Sequence, residues 1–210
     1  MAWALSTRPD DIKIVTKWQS SRSFVADDAK TPTQIVYANR RTRELAGWGY
    51  EIEARQEPLR WFKLCLEQKK YLNADVQRSE QLETAQRLLS NQGITAVDAA
   101  ADFLRQLWGA TIESIEKQYG DAVKGLPFRV ILTVPAMWSD GAKDNTLKAA
   151  RQAGIQAPRL CGDTTLDLVP EPEAAALAVL ADFGDRPGVQ AGDVITVCDC
   201  GGGTVVCFNL

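Results

Sequence analysis

The segment Phe128–Val134 (FRVILTV) restricts the fold more than any other stretch. It is a nearly continuous apolar run rich in β-branched residues and closed by Pro135, so it reads as a strand buried on both faces. Such a strand needs a layered sheet with helices packed against it. The flanking sequence supplies them. Val97, Ala101, Leu104, Trp108, Ile112, Ile115 and Tyr119 recur at three- and four-residue steps, forming one stripe of a long helix. Thr95 followed by Asp98 opens that helix as a capping box, and Gly120 ends it.

After Pro135, Ser139 and Asp140 can cap a helix running to about Ala153, with Gly154 as its stop. A short strand over Leu166–Val169 leads into Glu171-Pro172, where proline suits the first turn of a helix that continues to Phe183 and stops at Gly184. Val194–Asp199 is a further buried strand. The second half therefore alternates helix and strand, the order of an α/β layer fold. Further upstream, Ile12, Ile14, Thr16 and Trp18 read as a half-buried strand and Gln34–Ala38 as a second. The charged stretch from Glu53 to Leu89 reads as mostly helical and peripheral. Arg186–Gly192 (RPGVQAG) is loop-like and marks the boundary between lobes.

Composition removes several functions. The chain has 210 residues, no histidine, a formal net charge of −3 and a pI near 5.2. Without histidine, Ser-His-Asp and Cys-His nucleophilic sites and His-containing zinc sites are excluded within this chain. Arg40-Arg41 and Lys69-Lys70 are too short to be basic patches, which argues against a nucleic-acid surface. The start at Met1–Asp11 lacks the form of a signal peptide, and no run has the length of a membrane span. Five cysteines at irregular spacing form no disulfide framework. Together these suggest a cytoplasmic protein in a reducing compartment, with no membrane partner.

The candidate chemistry lies at Asp199-Cys200-Gly201-Gly202-Gly203-Thr204, which follows an apolar strand. Three glycines allow backbone amides to approach phosphate oxygens, Thr204 adds a hydroxyl, and Asp199 could hold a hydrated Mg²⁺. The same glycines also suit an ordinary tight hairpin. The stretch is no Walker A loop, because no Gly-Lys-Ser/Thr follows. Cys198, Cys200 and Cys207 could share a soft metal, but small buried side chains are the plainer role.

Four segments in order, Val130–Ala136 (VILTVPA), Asn145–Gly154 (NTLKAARQAG), Glu171–Leu177 (EPEAAAL) and the Asp199 turn, resemble the ATPase domain of the 70-kDa heat-shock protein family. Its divergent eukaryotic branch is the most similar. The resemblance is clear from Phe128 to Thr204 and weaker from Trp3 to Leu66. It implies an actin-like (ribonuclease H-like) α/β lobe over residues 1–190, with a mostly helical peripheral subdomain near 38–94. Residues 191–210 would form the first strand and phosphate turn of a second lobe. Sugar kinases and polyphosphatases share the strand–glycine-turn logic, but the Glu171-Pro-Glu-Ala-Ala-Ala helix favours the chaperone family.

The resemblance also implies roles. Asp199, Gly201, Gly202, Gly203 and Thr204 look like the second phosphate loop, and Glu171 like the carboxylate in the outer shell of Mg²⁺. Lys63, in Trp61-Phe-Lys-Leu64, resembles the lysine that reaches the γ-phosphate of ATP and orients the attacking water; a solvated lysine is the alternative. Pro135 resembles the nucleotide-sensing proline, with Lys143 where the family's arginine partner stands. Expected ligands are ATP or ADP with Mg²⁺, and expected partners co-chaperones or client proteins.

Two departures bear on activity. Met1–Ser6 resembles the strand just after the family's first phosphate loop, so that loop has no counterpart, and Val206 replaces an aspartate. Losing one charge-stabilising group can cost about 3–4 kcal/mol of transition-state stabilisation, so hydrolysis is expected to be impaired. A non-catalytic interaction scaffold is the alternative function. The Val194–Asp199 strand is expected to be an orphan with an open edge, leaving Cys198, Val206 and Phe208 exposed.

Overall fold

The computed structural model describes residues 1–20, 26–39, 42–182, 194, 196–200 and 205–209. The chain runs through strands β1 (Ala2–Leu5), β2 (Arg8–Ile14), β3 (Lys17–Trp18), β4 (Ala26–Asp27), β5 (Gln34–Asn39), β6 (Glu44–Trp48) and β7 (Leu59–Arg60). Helices α1 (Ala74–Gln77), α2 (Glu80–Gln92) and α3 (Ala96–Tyr119) follow. Next come β8 (Arg129–Val134), α4 (Asp140–Gln152), β9 (Thr165–Pro170), α5 (Glu171–Asp182), β10 (Thr196–Cys200) and β11 (Val205–Asn209). The expected inter-lobe loop Arg186–Gly192, together with Phe183 and Gly184, lies outside the described residues.

Helix α3 is the spine, and its start is set locally. The Thr95 hydroxyl accepts from Asp98 N–H at 3.1 Å, and the Asp98 carboxylate accepts from Thr95 N–H at 3.0 Å. These bonds satisfy donors that a helix start otherwise leaves open. Its small residues Ala99, Ala100 and Ala101 share one buried cluster with Ala142 and Ala149 of α4, while Leu104 and Trp108 pack against a second cluster that holds Ala150 and Ala153. Small side chains let two helix backbones approach closely.

Strands β8 and β9 pair in parallel from Arg129↔Thr165 to Val134↔Pro170, joined by α4 as a crossover. The strand over 128–134 is therefore real, but it is not buried on both faces. Val130 and Val134 are buried against the helix side, whereas Ile131 is 52% exposed. A continuous apolar run cannot distinguish one covered face from two.

The N-terminal strand also differs from expectation. β2 ends at Ile14, where Val15 N–H donates to the Met1 carbonyl at 2.9 Å, and the chain turns before β3. Val15 becomes the buried residue at 4% exposure, with Ile12 and Ile14 outside at 63% and 55%. Trp18, in the separate strand β3, is buried at 2%, so the single alternation expected over residues 12–18 is broken between two strands. The 53–89 region is α-helical only in its second part. Before Ala74 it is built from extended pieces and the 3-10 turns Leu64–Leu66 and Lys69–Tyr71.

The last strand is not an orphan. β10 pairs antiparallel with β11 from Thr196↔Asn209 to Cys200↔Val205.

Candidate functional site

The lysine turn begins in the core. Phe62 is 2% exposed and meets Phe103 of α3 edge-on at 5.9 Å; Phe103 meets Trp48 at 5.9 Å, and Trp48 meets Trp18 at 6.0 Å. Each edge-to-face pair adds roughly 0.5–1.5 kcal/mol beyond the area it buries. Trp61, just before, takes φ 61°, a left-handed conformation that is uncommon for a bulky residue and marks a tightly determined bend. Leu64, Cys65 and Leu66 N–H then donate back to the carbonyls of Trp61, Phe62 and Lys63 in a short 3-10 ladder. Lys63 thus leaves a rigid turn with its side chain 48% exposed.

Glu171 arrives from the other half of the chain. It is the first residue of α5, directly after Pro170, and so stands at the carboxyl ends of the parallel strands β8 and β9. In open α/β sheets that edge is where ligands bind. The Lys63 ammonium donates to Glu171 Oε1 at 2.6 Å, across 108 residues of sequence. The same ammonium lies 5.7 Å from the centre of the buried Trp138 ring. The ion pair is partly exposed and contributes at most about 1 kcal/mol to stability. It matters as a placement: a cation and an anion held together at a strand terminus.

Glu67, directly after the 3-10 turn Leu64–Leu66, is a carboxylate only 5% exposed. It accepts from Ser139 N–H at 2.7 Å, Ser139 Oγ at 2.8 Å and Gln68 N–H at 2.6 Å. Burial pushes its pKa up, but these donors, with Lys70 nearby, outweigh burial and hold it below the usual value. Ser139 is the N-cap of α4, accepting from Ala142 N–H at 3.3 Å. Asn145, on the same helix, donates to the Leu66 carbonyl at 2.9 Å. Lys143 also lies on α4, 3.7 Å from Asp140.

Of the residues singled out in the sequence, Lys63 and Glu171 meet. The backbone of Asp199 lies in β10 opposite Val206. Gly201, Gly202, Gly203 and Thr204 lie outside the described residues. The backbones of Cys198 and Cys207 are register partners in the β10–β11 pair, and no group of His, Cys, Asp and Glu among the described residues is arranged to hold a metal. Nothing in the sequence marks Glu67 or Trp138, because their partners are far away along the chain; Ser139 reads there only as a cap and Asn145 only as the start of a motif.

A groove of about 480 Å³ lies elsewhere, lined by Trp18, Arg43, Trp48, Asp102, Arg105 and Glu113 among others. At its floor the Arg43 guanidinium is committed to the Asp98 and Asp102 carboxylates and to the Asp98 carbonyl. That network ties β5–β6 to α3 rather than offering donors to a ligand.

The mixed helix-and-sheet fold, with its parallel crossover β8–α4–β9, is that of an α/β actin-like ATPase fragment. A family model described as Hsp70 protein matches residues 62–208, and the chain belongs to that family. Human heat shock 70 kDa protein 12A is 25% identical over 181 residues, covering 84% of this chain and 26% of that protein. The chaperone protein HscA of Pectobacterium atrosepticum is 32% identical over 117 residues, 55% of this chain and 17% of its own length. An HscA homolog from Shewanella denitrificans is 37% identical over 111 residues, 53% of this chain and 14% of its own. The chain spans about a quarter or less of the length of these relatives. No solved structure matches it.

Proposed function

We propose that this nucleotide-binding-domain fragment contacts Mg²⁺-bound ATP or ADP at the carboxyl ends of β8 and β9, and that its hydrolysis is slow. The observation that carries this reading is the Lys63–Glu171 pair at 2.6 Å. The donor set suits the ligand. A half-exposed ammonium can neutralise phosphate, and a carboxylate beside it can meet a magnesium ion through water. Bound Mg²⁺ would neutralise charge on the phosphates.

Lys63 would exchange its bond to Glu171 for a terminal phosphate oxygen and orient the attacking water. Glu171, relieved of that ammonium, would accept from magnesium-bound water. Asp199 and the Gly201–Thr204 turn would supply a carboxylate, amides and a hydroxyl on the phosphate side. Val206, opposite Asp199 in the hairpin, leaves that strand pair without a second carboxylate, which supports slow turnover. This reading includes a cytoplasmic setting and co-chaperone or client contacts, as expected for a family of chaperones.

Thermal unfolding of the full chain with Mg·ATP and Mg·ADP tests it. Ligand at a hundred times its dissociation constant stabilises by about 2.7 kcal/mol, roughly 5–11 °C for a chain of this size. Lys63→Ala should shrink the shift for ATP more than for ADP. No shift at millimolar nucleotide refutes the proposal and favours a nucleotide-independent scaffold.

A further inference from the structure

We infer that Glu67 is a positioning residue, a latch that sets where the Lys63 ammonium lies; its catalytic meaning rests on the nucleotide-site reading above. A buried carboxylate is costly unless its oxygens are satisfied, and this one accepts from three donors. Two of those donors belong to Ser139, the residue after Trp138, whose ring lies beneath Lys63. One carboxylate therefore ties together the turn that carries the lysine and the turn that carries the ring. Asn145 makes a second tie from α4 to the Leu66 carbonyl.

The lysine is thus held between two anchors. On one side Phe62 is locked into the aromatic core; on the other, the end of the 3-10 turn is pinned to α4 through Glu67 and Leu66. Capping alone does not explain Glu67, because Ser139 already caps α4 with its own hydroxyl. The carboxylate is suited to this place because it is purely an acceptor: every group facing it in these bonds is a donor. An amide of the same shape would turn an NH₂ toward one of them.

The test uses the full chain, with amine acylation at pH 8 quantified by mass spectrometry and exposed Lys148 as internal reference. In the parent protein Lys63 is shielded by Glu171 and should react slowly. Glu67→Ala should speed Lys63 acylation relative to Lys148 by about tenfold, the equivalent of losing one charge-assisted hydrogen bond. Glu67→Gln should give a smaller increase and Asn145→Ala an intermediate one, with Glu171→Gln marking the ceiling. If Glu67→Ala does not fold, the Gln and Asn145→Ala series carries the comparison. Unchanged relative reactivity of Lys63 with a lowered Tm overturns the latch, leaving Glu67 as a stabilising contact only. Where nucleotide binds, the single-turnover rate should fall in Glu67→Gln with Kd for Mg·ADP unchanged. Faster Lys63 acylation in a protein that binds no nucleotide supports the latch and defeats the nucleotide reading separately.

Discussion

Replacing Asp102 should damage the fold more than replacing any other single carboxylate on α3. Its side chain is 4% exposed and accepts from Tyr37 Oη at 2.9 Å, Arg43 Nε at 3.0 Å, Arg43 Nη2 at 2.8 Å and Arg105 Nη1 at 2.6 Å. Four bonds to a charged acceptor, at about 1.5–3 kcal/mol each, set a ceiling near 6–12 kcal/mol. The ceiling is not reached, because Arg43 and Arg105 are 33% and 48% exposed and water takes over their donors. The cost of breaking a buried pair, roughly 3–5 kcal/mol, falls to about 3 kcal/mol for Asp102→Ala after that correction. Asp102→Asn should cost about 2 kcal/mol, since the amide keeps one acceptor. In urea unfolding followed by tryptophan fluorescence, a slope near 2 kcal/mol/M makes the Ala loss a midpoint shift of about 1.5 M. Arg105→Ala should cost less than half as much, because Arg43 keeps its bidentate contact. A loss below about 1 kcal/mol for Asp102→Ala with an unchanged slope would refute the reasoning, since water would then serve the arginines as well as the carboxylate does.

Gly49 has φ +54°, and a Cβ there would come 2.4 Å from Thr31 Oγ1, an oxygen that is buried without a hydrogen bond. Gly49→Ala should destabilise by about 2 kcal/mol in the same assay, and Thr31→Ala in that background should recover part of the loss. Glu67 and Asp98 both titrate below their usual values despite burial, Glu67 through Ser139 and Gln68, Asp98 through Thr95 and Arg43. Their stabilisation is complete above the unfolded-state values of about 4.3 and 3.9 and is lost as pH falls through the lower folded values. Unfolding free energy should therefore drop below about pH 4, and more shallowly in Glu67→Gln. Burial pushes the Cys65 thiol up to about 11, whereas Cys161 is exposed, so a disulfide reagent at pH 8 should label Cys161 rapidly and Cys65 slowly.

Local chemistry written into the sequence decided where elements begin and end. Thr95 with Asp98, Ser139 and Gly154 bound α3 and α4 through bonds within a few residues, so caps and periodicity sufficed to place them. The order of segments sufficed for the family, and resemblance singled out Lys63 and Glu171. Residue patterns could not decide which face of a strand is covered. Ile131 is outside and Val15 inside because burial depends on what packs above a strand, which its own sequence does not encode. Nor could they bring Lys63 to Glu171, or Glu67 to Ser139, across 108 and 72 positions. Those meetings depend on the parallel crossover β8–α4–β9, which carries Ser139 and Glu171 to one end of the sheet, and on the aromatic core that holds the lysine turn there.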